Sequence, residues 1–105
     1  MIRLIDVAEV IRSKNSGPYE LTFDILFKDR AMFETFCRRD LMTKELIASL
    51  YRIPLDKVLN LVHFKPAKAL KFTIERPIPS GALGDTDIYG AQQHAPLLGL
   101  EFDEE

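Results

Sequence analysis

Two stretches of alternating side chains constrain the fold of this chain more than any other feature. Every second residue is apolar in residues 21–27, and again in residues 70–74, while the residues between them are mostly polar. An alternation with a period of two is typical of a strand that buries one face. The chain must therefore supply a layer that covers the apolar faces of these strands.

Two amphipathic helices between the alternating stretches can supply that layer. Asp29 and Thr43 each precede a stripe of apolar residues, and both residue types accept hydrogen bonds from the free N–H groups of a first helical turn. The helices are expected to end near residues 39 and 52, and Pro54 opens one further turn. Further strands are expected over residues 2–7, 58–65 and 97–102, and residues 66–67 form a tight connection.

This order of elements predicts an α+β fold in a single domain covering residues 1–105. The expected architecture is a two-layer sandwich, ferredoxin-like or a variant of it, with four to five strands, two helices on one face and a long C-terminal loop. Cys37 is the only cysteine, so an intrachain disulfide is impossible. The stripe position of Cys37 predicts an inert, buried thiol, and His63 is assigned a structural role on the face of Leu59 and Leu61.

Composition narrows the classes of function. The net charge is −2. This charge argues against a nucleic-acid binder, since such proteins carry a basic patch or stripe. No segment approaches the roughly 20 apolar residues that span a bilayer, and Arg3 and Asp6 interrupt any signal-like run. A cytoplasmic protein that binds no membrane is expected, with an acidic tail at residues 103–105 that frays.

The loop of residues 77–96 is the first candidate site, because a loop of this length without its own periodicity is usually functional. Asp85, Asp87 and Gly90 match the opening of a calcium loop, but Pro96 stands where that motif needs a glutamate. A looser site for a divalent cation on Asp85 and Asp87 is left open. His94 and Asp85 are the candidates for catalysis, since the pKa of a histidine lies near neutrality. The candidates for ligand binding are Ser80, Tyr89, Gln92 and Gln93.

A polar stretch at residues 12–18 is the second candidate and is expected to form a loop. Arg12, Ser13, Lys14 and Asn15 offer donors to an anionic group, and an arginine fork suits a carboxylate or a phosphate. The single glycine excludes a phosphate-binding P-loop. An ordinary charged surface turn is the alternative, unless the loop of residues 77–96 lies beside it.

Two stretches carry a resemblance to a known group of proteins: LIDVAEVIRSKNSGPYELTFDI at residues 4–25 and PSGALGDTDIYGAQQHAPLL at residues 79–98. The chain resembles a family of short bacterial proteins encoded beside large acyclic terpene utilisation (AtuA-type) proteins. Its opening also resembles the ferredoxin-like domain of AtuA-type proteins, with Val7 in place of a leucine and Asn15–Ser16 separating Lys14 from Gly17. The resemblance implies the fold and a larger partner that acts on a CoA thioester or an organic acid.

These observations lead to one favoured function and two alternatives. The favoured function is an accessory subunit that docks on an AtuA-type large protein and contributes both candidate segments to a shared site. The alternatives are a self-contained hydro-lyase-like enzyme using His94, and a ligand-binding module without catalysis. Self-association into a homo-oligomer, the cofactor and the question of catalysis are left open by the sequence.

Overall fold

A computed structural model describes residues 1–17, 19–75 and 95–103 of the chain. The strands and α-helices in chain order are β1 Ile2–Arg3, α1 Leu4–Val7, β2 Ala8–Gly17, β3 Glu20–Phe27, α2 Arg30–Arg39, α3 Lys44–Tyr51, β4 Val58–Phe64, β5 Ala69–Glu75 and β6 Glu101–Phe102. Short 3₁₀ helices cover Leu55–Lys57, Lys65–Ala67 and Ala95–Gly99.

The main sheet has four strands in the order β2-β3-β5-β4, and every neighbouring pair is antiparallel. Helices α2 and α3 bury their apolar residues against one face of this sheet, which confirms the predicted α+β two-layer sandwich. Both helices lie between two hairpins, β2–β3 and β4–β5, whereas a ferredoxin-like chain places one helix after its first strand. The fold is therefore the variant rather than the ferredoxin-like arrangement itself.

The alternating residues build the core as predicted. The apolar residues of β3 and β5 that face the helices are at most 2% exposed. Phe23 and Phe72 stack across the two strands with ring centroids 4.5 Å apart. Phe27 makes edge-to-face contact with Phe36 of α2 at 4.9 Å, a geometry that aromatic pairs favour beyond the burial of their area. The sheet and the helix layer are thus joined mainly by aromatic rings.

Both predicted helix caps are confirmed. The Asp29 carboxylate accepts a hydrogen bond from Met32 N at 2.8 Å, and the Thr43 hydroxyl accepts one from Leu46 N at 3.1 Å. Asp40 and Arg52 end the two helices in the left-handed conformation, with φ of 49° and 57°. These caps satisfy backbone groups that a helix end leaves without partners.

The predictions for the two ends of the chain were wrong in part. Residues 2–7 were expected to form one strand, but they divide into β1 and the short helix α1, and Leu4 of α1 is fully buried. Residues 97–102 were also expected to form a strand, but a 3₁₀ helix places Leu97 in the core, and only β6 pairs with β1. Leu4 and Leu97 therefore enter the core from helical turns and not from strands.

The polar loop predicted at residues 12–18 is also corrected. Residues 12–17 belong to β2, which pairs with β3 as far as Gly17↔Glu20, and Pro18 lies outside the described residues. The charged residues Arg12 and Lys14 are tolerated in this strand because one of its faces is turned away from the helices. Across the three described segments, no helix is long and apolar enough to cross a membrane.

Candidate functional site

The face of the main sheet opposite the helices carries the clearest arrangement of charged residues, and it is called the outer face below. Strand register aligns two rows of side chains across this face: Arg12, Asp24, Lys71 and Val62 in one row, and Lys14, Thr22, Thr73 and Asn60 in the next. Side chains directly opposite each other on antiparallel strands lie close enough to interact. The register therefore gathers charged and polar groups from all four strands.

Asp24 is the centre of the charged row. Its carboxylate accepts a hydrogen bond from Arg12 Nε at 3.0 Å and another from Lys71 Nζ at 3.1 Å, while Asp24 itself is only 5% exposed. Burial raises the pKa of Asp24, but the hydrogen bonds and charges of Lys71 and Arg12 outweigh burial and lower the pKa below 3.8. Asp24 is therefore ionised at neutral pH and fixes both cations.

Arg12 and Lys14 remain accessible on the outer face. The Arg12 side chain is 60% exposed and contacts Asp24 through Nε, which leaves the terminal nitrogens of its guanidinium for another acceptor. Lys14 is exposed, and its side chain has no ion pair with any residue that the structure describes. The row of Arg12, Asp24 and Lys71 carries one net positive charge, to which Lys14 adds a second.

Apart from Lys14, the second row contains only polar side chains without charge. Thr22 and Thr73 lie opposite each other with their hydroxyl oxygens 3.4 Å apart. Hydroxyl groups can both donate and accept hydrogen bonds. This row can therefore contact the polar part of a ligand whose anionic group binds Arg12 or Lys14.

The four residues predicted as hydrogen-bond donors, residues 12–15, lie on two different faces of the sheet. Arg12 and Lys14 lie on the outer face, whereas Ser13 pairs with Phe23 and is 7% exposed. Asn15 has the same parity as Ser13 and pairs with Leu21, also on the helix side. Side chains alternate between the two faces along a strand, and this alternation, which a loop lacks, separates the two pairs.

The candidate residues of the long loop lie outside the described residues: Ser80, Asp85, Asp87, Tyr89, Gln92, Gln93 and His94. Their roles as acid, base, cation ligand or ligand contact stay predictions. Within residues 1–17, 19–75 and 95–103, no group of three or more His, Cys, Asp or Glu side chains is placed to hold a metal ion.

A groove between α2 and β4 brings together residues that the sequence did not connect. It has a volume of about 370 Å³ and is lined by Arg30, Phe33, Glu34, Cys37, Arg38, His63 and Lys65. Burial, the largest influence, raises the pKa of the Cys37 thiol, which supports the prediction of an inert thiol. Cys37 is half-buried, however, and not fully enclosed as predicted.

The sequence contains local signals for both the outer face and the groove. Asp24 and Lys71 are charges in the middle of two alternating strands, where their opposite signs favour direct pairing. Arg30, Glu34 and Arg38 recur every four residues and therefore share one face of α2. His63 lies on the helix side with Leu61, as predicted, but an irregularity in β4 between Val58 and Asn60 removes Leu59 from that alternation.

The fold and the outer face define an α+β two-layer sandwich domain whose antiparallel sheet presents a charged cluster opposite its helices. The chain belongs to the family described as Domain of unknown function (DUF4387), whose model matches residues 4–101. No curated protein and no solved structure matches the chain significantly.

Proposed function

We propose that this chain is an accessory subunit that docks on an AtuA-type large protein and presents Arg12 and Lys14 to a shared site. The single observation that carries the proposal is the outer-face cluster, in which a buried carboxylate holds an exposed guanidinium in place. The resemblance of residues 4–25 to AtuA-associated proteins supports the choice of partner.

The chemistry of the cluster favours an anionic substrate. CoA thioesters and organic acids carry phosphate or carboxylate groups, which a guanidinium binds through parallel hydrogen bonds. Asp24 restrains Arg12 before a ligand arrives, so less side-chain entropy is lost on binding. Asp85, Asp87 and His94 would add a divalent cation or a proton-transfer group to the same shared site.

Co-expression with an AtuA-type protein tests this proposal. The wild-type chain is expected to co-elute with the large protein in size-exclusion chromatography. Lys14→Glu reverses an exposed charge that has no partner among the described residues, so it is expected to weaken co-elution without unfolding the chain. Lys44→Glu, an exposed change on α3, is the matched control and is expected to leave co-elution unchanged.

Either of two results would contradict the proposal. The wild-type chain could elute alone when the large protein is present in excess. Alternatively, Lys14→Glu and Lys44→Glu could reduce co-elution equally, which would show that the outer face has no special part in docking.

A ligand-binding module without catalysis is the second candidate function, and the groove between α2 and β4 favours it. Arg38 and Lys65 line the groove, and neither side chain forms an ion pair or hydrogen bond within the described part of the chain. Binding of citrate to the isolated chain, measured by calorimetry and lost in Arg38→Gln, would support this function. Arg39→Gln is the control, because Arg39 instead donates to the Asp103 carbonyl.

A further inference from the structure

The two edges of the main sheet differ in how they are protected from other strands. Natural edge strands usually carry charges or bulges that oppose pairing with another chain. Strand β2 has both, with irregularities at Ala8/Val10 and at Asn15/Gly17 and with the charged residues Glu9, Arg12 and Lys14. This edge is therefore protected.

The edge formed by β4 has less protection of this kind, with a single irregularity between Val58 and Asn60. Its sequence VLNLVHF contains no lysine, arginine, aspartate or glutamate. Leu59, Val62 and Phe64 are 42%, 47% and 42% exposed, although each is a large apolar side chain. Among the described strands, β4 pairs only with β5, so its other side is an edge of the described sheet and is suited to receive a further strand.

We propose that β4 is the interface between two copies of this chain, which pair antiparallel through this strand and join their sheets into one of eight strands. The pairing would satisfy outward backbone groups of both copies and cover Val62 and Phe64. This inference goes beyond the accessory-subunit function, because it uses the edge opposite to Arg12 and Lys14.

The sequence of β4 favours a second copy as the occupant. The irregularity between Val58 and Asn60 leaves residues 60–64 as the regular part of the strand, with Val62 at its centre. A two-fold axis at Val62 places Asn60 opposite the partner subunit's Phe64 and Leu61 opposite the partner subunit's His63. In this register, helix-facing residues of one copy pair with helix-facing residues of the other, and outer-face residues pair with outer-face residues.

Charge is also compatible with this arrangement. Residues 60–64, the regular part of β4 that would pair, contain no lysine, arginine, aspartate or glutamate, so self-pairing brings no like charges together. Like charges directly opposite each other would destabilise such a pair. The closed two-fold contact is self-complementary and does not extend into a filament.

The mass of the full chain in solution tests the proposal. The wild-type chain is expected to sediment with twice the mass of one chain in the micromolar range. Val62→Lys places two ammonium groups opposite each other and is expected to raise the dimer dissociation constant by about tenfold or more. Val62→Thr keeps a β-branched side chain and is the matched control, expected to remain a dimer.

A wild-type chain that remains a monomer at millimolar concentration would overturn the proposal. A dimer that persists unchanged in Val62→Lys would overturn it equally, since another surface would then hold the copies together. Circular dichroism and urea unfolding of Val62→Lys check that the variant is folded, because the new ammonium group also lies opposite Lys71 of the same chain.

Disulfide trapping tests the register. In a Cys37→Ser background, Val62→Cys is expected to form a disulfide-linked dimer on mild oxidation, because the two sulfurs would face each other at the axis. Leu98→Cys, at a similarly exposed apolar position on the 3₁₀ helix Ala95–Gly99, is expected to remain a monomer. Equal cross-linking at both positions would contradict pairing through β4.

Discussion

Replacing Asp24 with asparagine is the sharpest test of the outer-face cluster. The change keeps the size of the side chain but removes the negative charge that both Arg12 and Lys71 contact. An amide oxygen can still accept one hydrogen bond, but it cannot balance two cations. We therefore expect Asp24→Asn to destabilise the fold while leaving the secondary structure unchanged.

The magnitude follows from burial and exposure. A hydrogen bond to a charged group contributes about 1.5–3 kcal/mol, and Asp24 makes two. The side chains of Arg12 and Lys71 are 60% and 39% exposed, so water replaces part of what they lose. The expected loss is about 2 kcal/mol, or roughly 10 °C in Tm for a domain of this size.

The pH dependence of this loss has a defined sign. The pKa of Asp24 is lowered in the folded state from the ordinary value of 3.8. Its contribution to stability is therefore complete above pH 3.8 and is lost as pH falls through the lowered folded pKa. Asparagine does not titrate, so the stability difference between wild type and Asp24→Asn should narrow in acid.

Urea unfolding followed by circular dichroism, at neutral pH and at several acidic pH values, measures both effects. Asp6→Asn is the matched control, because Asp6 and Arg3 form an exposed ion pair at 4.0 Å that should contribute about 0.5 kcal/mol or less. Equal stability of wild type and Asp24→Asn at neutral pH would refute the reasoning. If the stability difference between wild type and Asp24→Asn stayed constant in acid, the loss would not come from the charge of Asp24.

Three further predictions concern the caps, the core and the thiol. Thr43→Ala should cost about 1 kcal/mol in urea unfolding because Leu46 N loses its acceptor, whereas an unchanged midpoint would contradict the cap. Phe102→Ala should cost about 3 kcal/mol because its ring packs edge-to-face on Phe36 at 5.1 Å, and a loss below about 1 kcal/mol would show that β6 contributes little. Cys37 should react with iodoacetamide at neutral pH more slowly than free cysteine, since burial raises its pKa, and an equal rate would contradict an inert thiol.

Local sequence signals predicted the parts of the fold that local physics determines. The alternation of β3 and β5 and the caps at Asp29 and Thr43 were predicted correctly, because strand period and capping chemistry act within a few residues. The order β2-β3-β5-β4 depends on which strands meet across the two helices, and no short-range pattern specifies it. The helical turns at Leu4 and Leu97 likewise depend on core space that only the folded chain defines.

The site was predictable only as far as residue chemistry allowed. Arg12 and Lys14 were identified as anion-binding candidates from their side chains, and the structure places both on the outer face. Asp24 was missed because its role depends on Lys71, which is 47 positions away in sequence. A polar run containing Gly17 resembles a turn locally, and only pairing with β3 shows that it is an edge strand.

Lysine labelling of the chain, alone and with an AtuA-type protein, tests the central claim most directly. An amine-reactive acetylating reagent and mass spectrometry would report the accessibility of Lys14 on the outer face and of Lys44 on α3 in the same sample. The account predicts that the large protein slows labelling of Lys14 several-fold and leaves Lys44 unchanged. Unchanged labelling of Lys14 in a confirmed complex, or equal protection of both lysines, would contradict docking through the outer face.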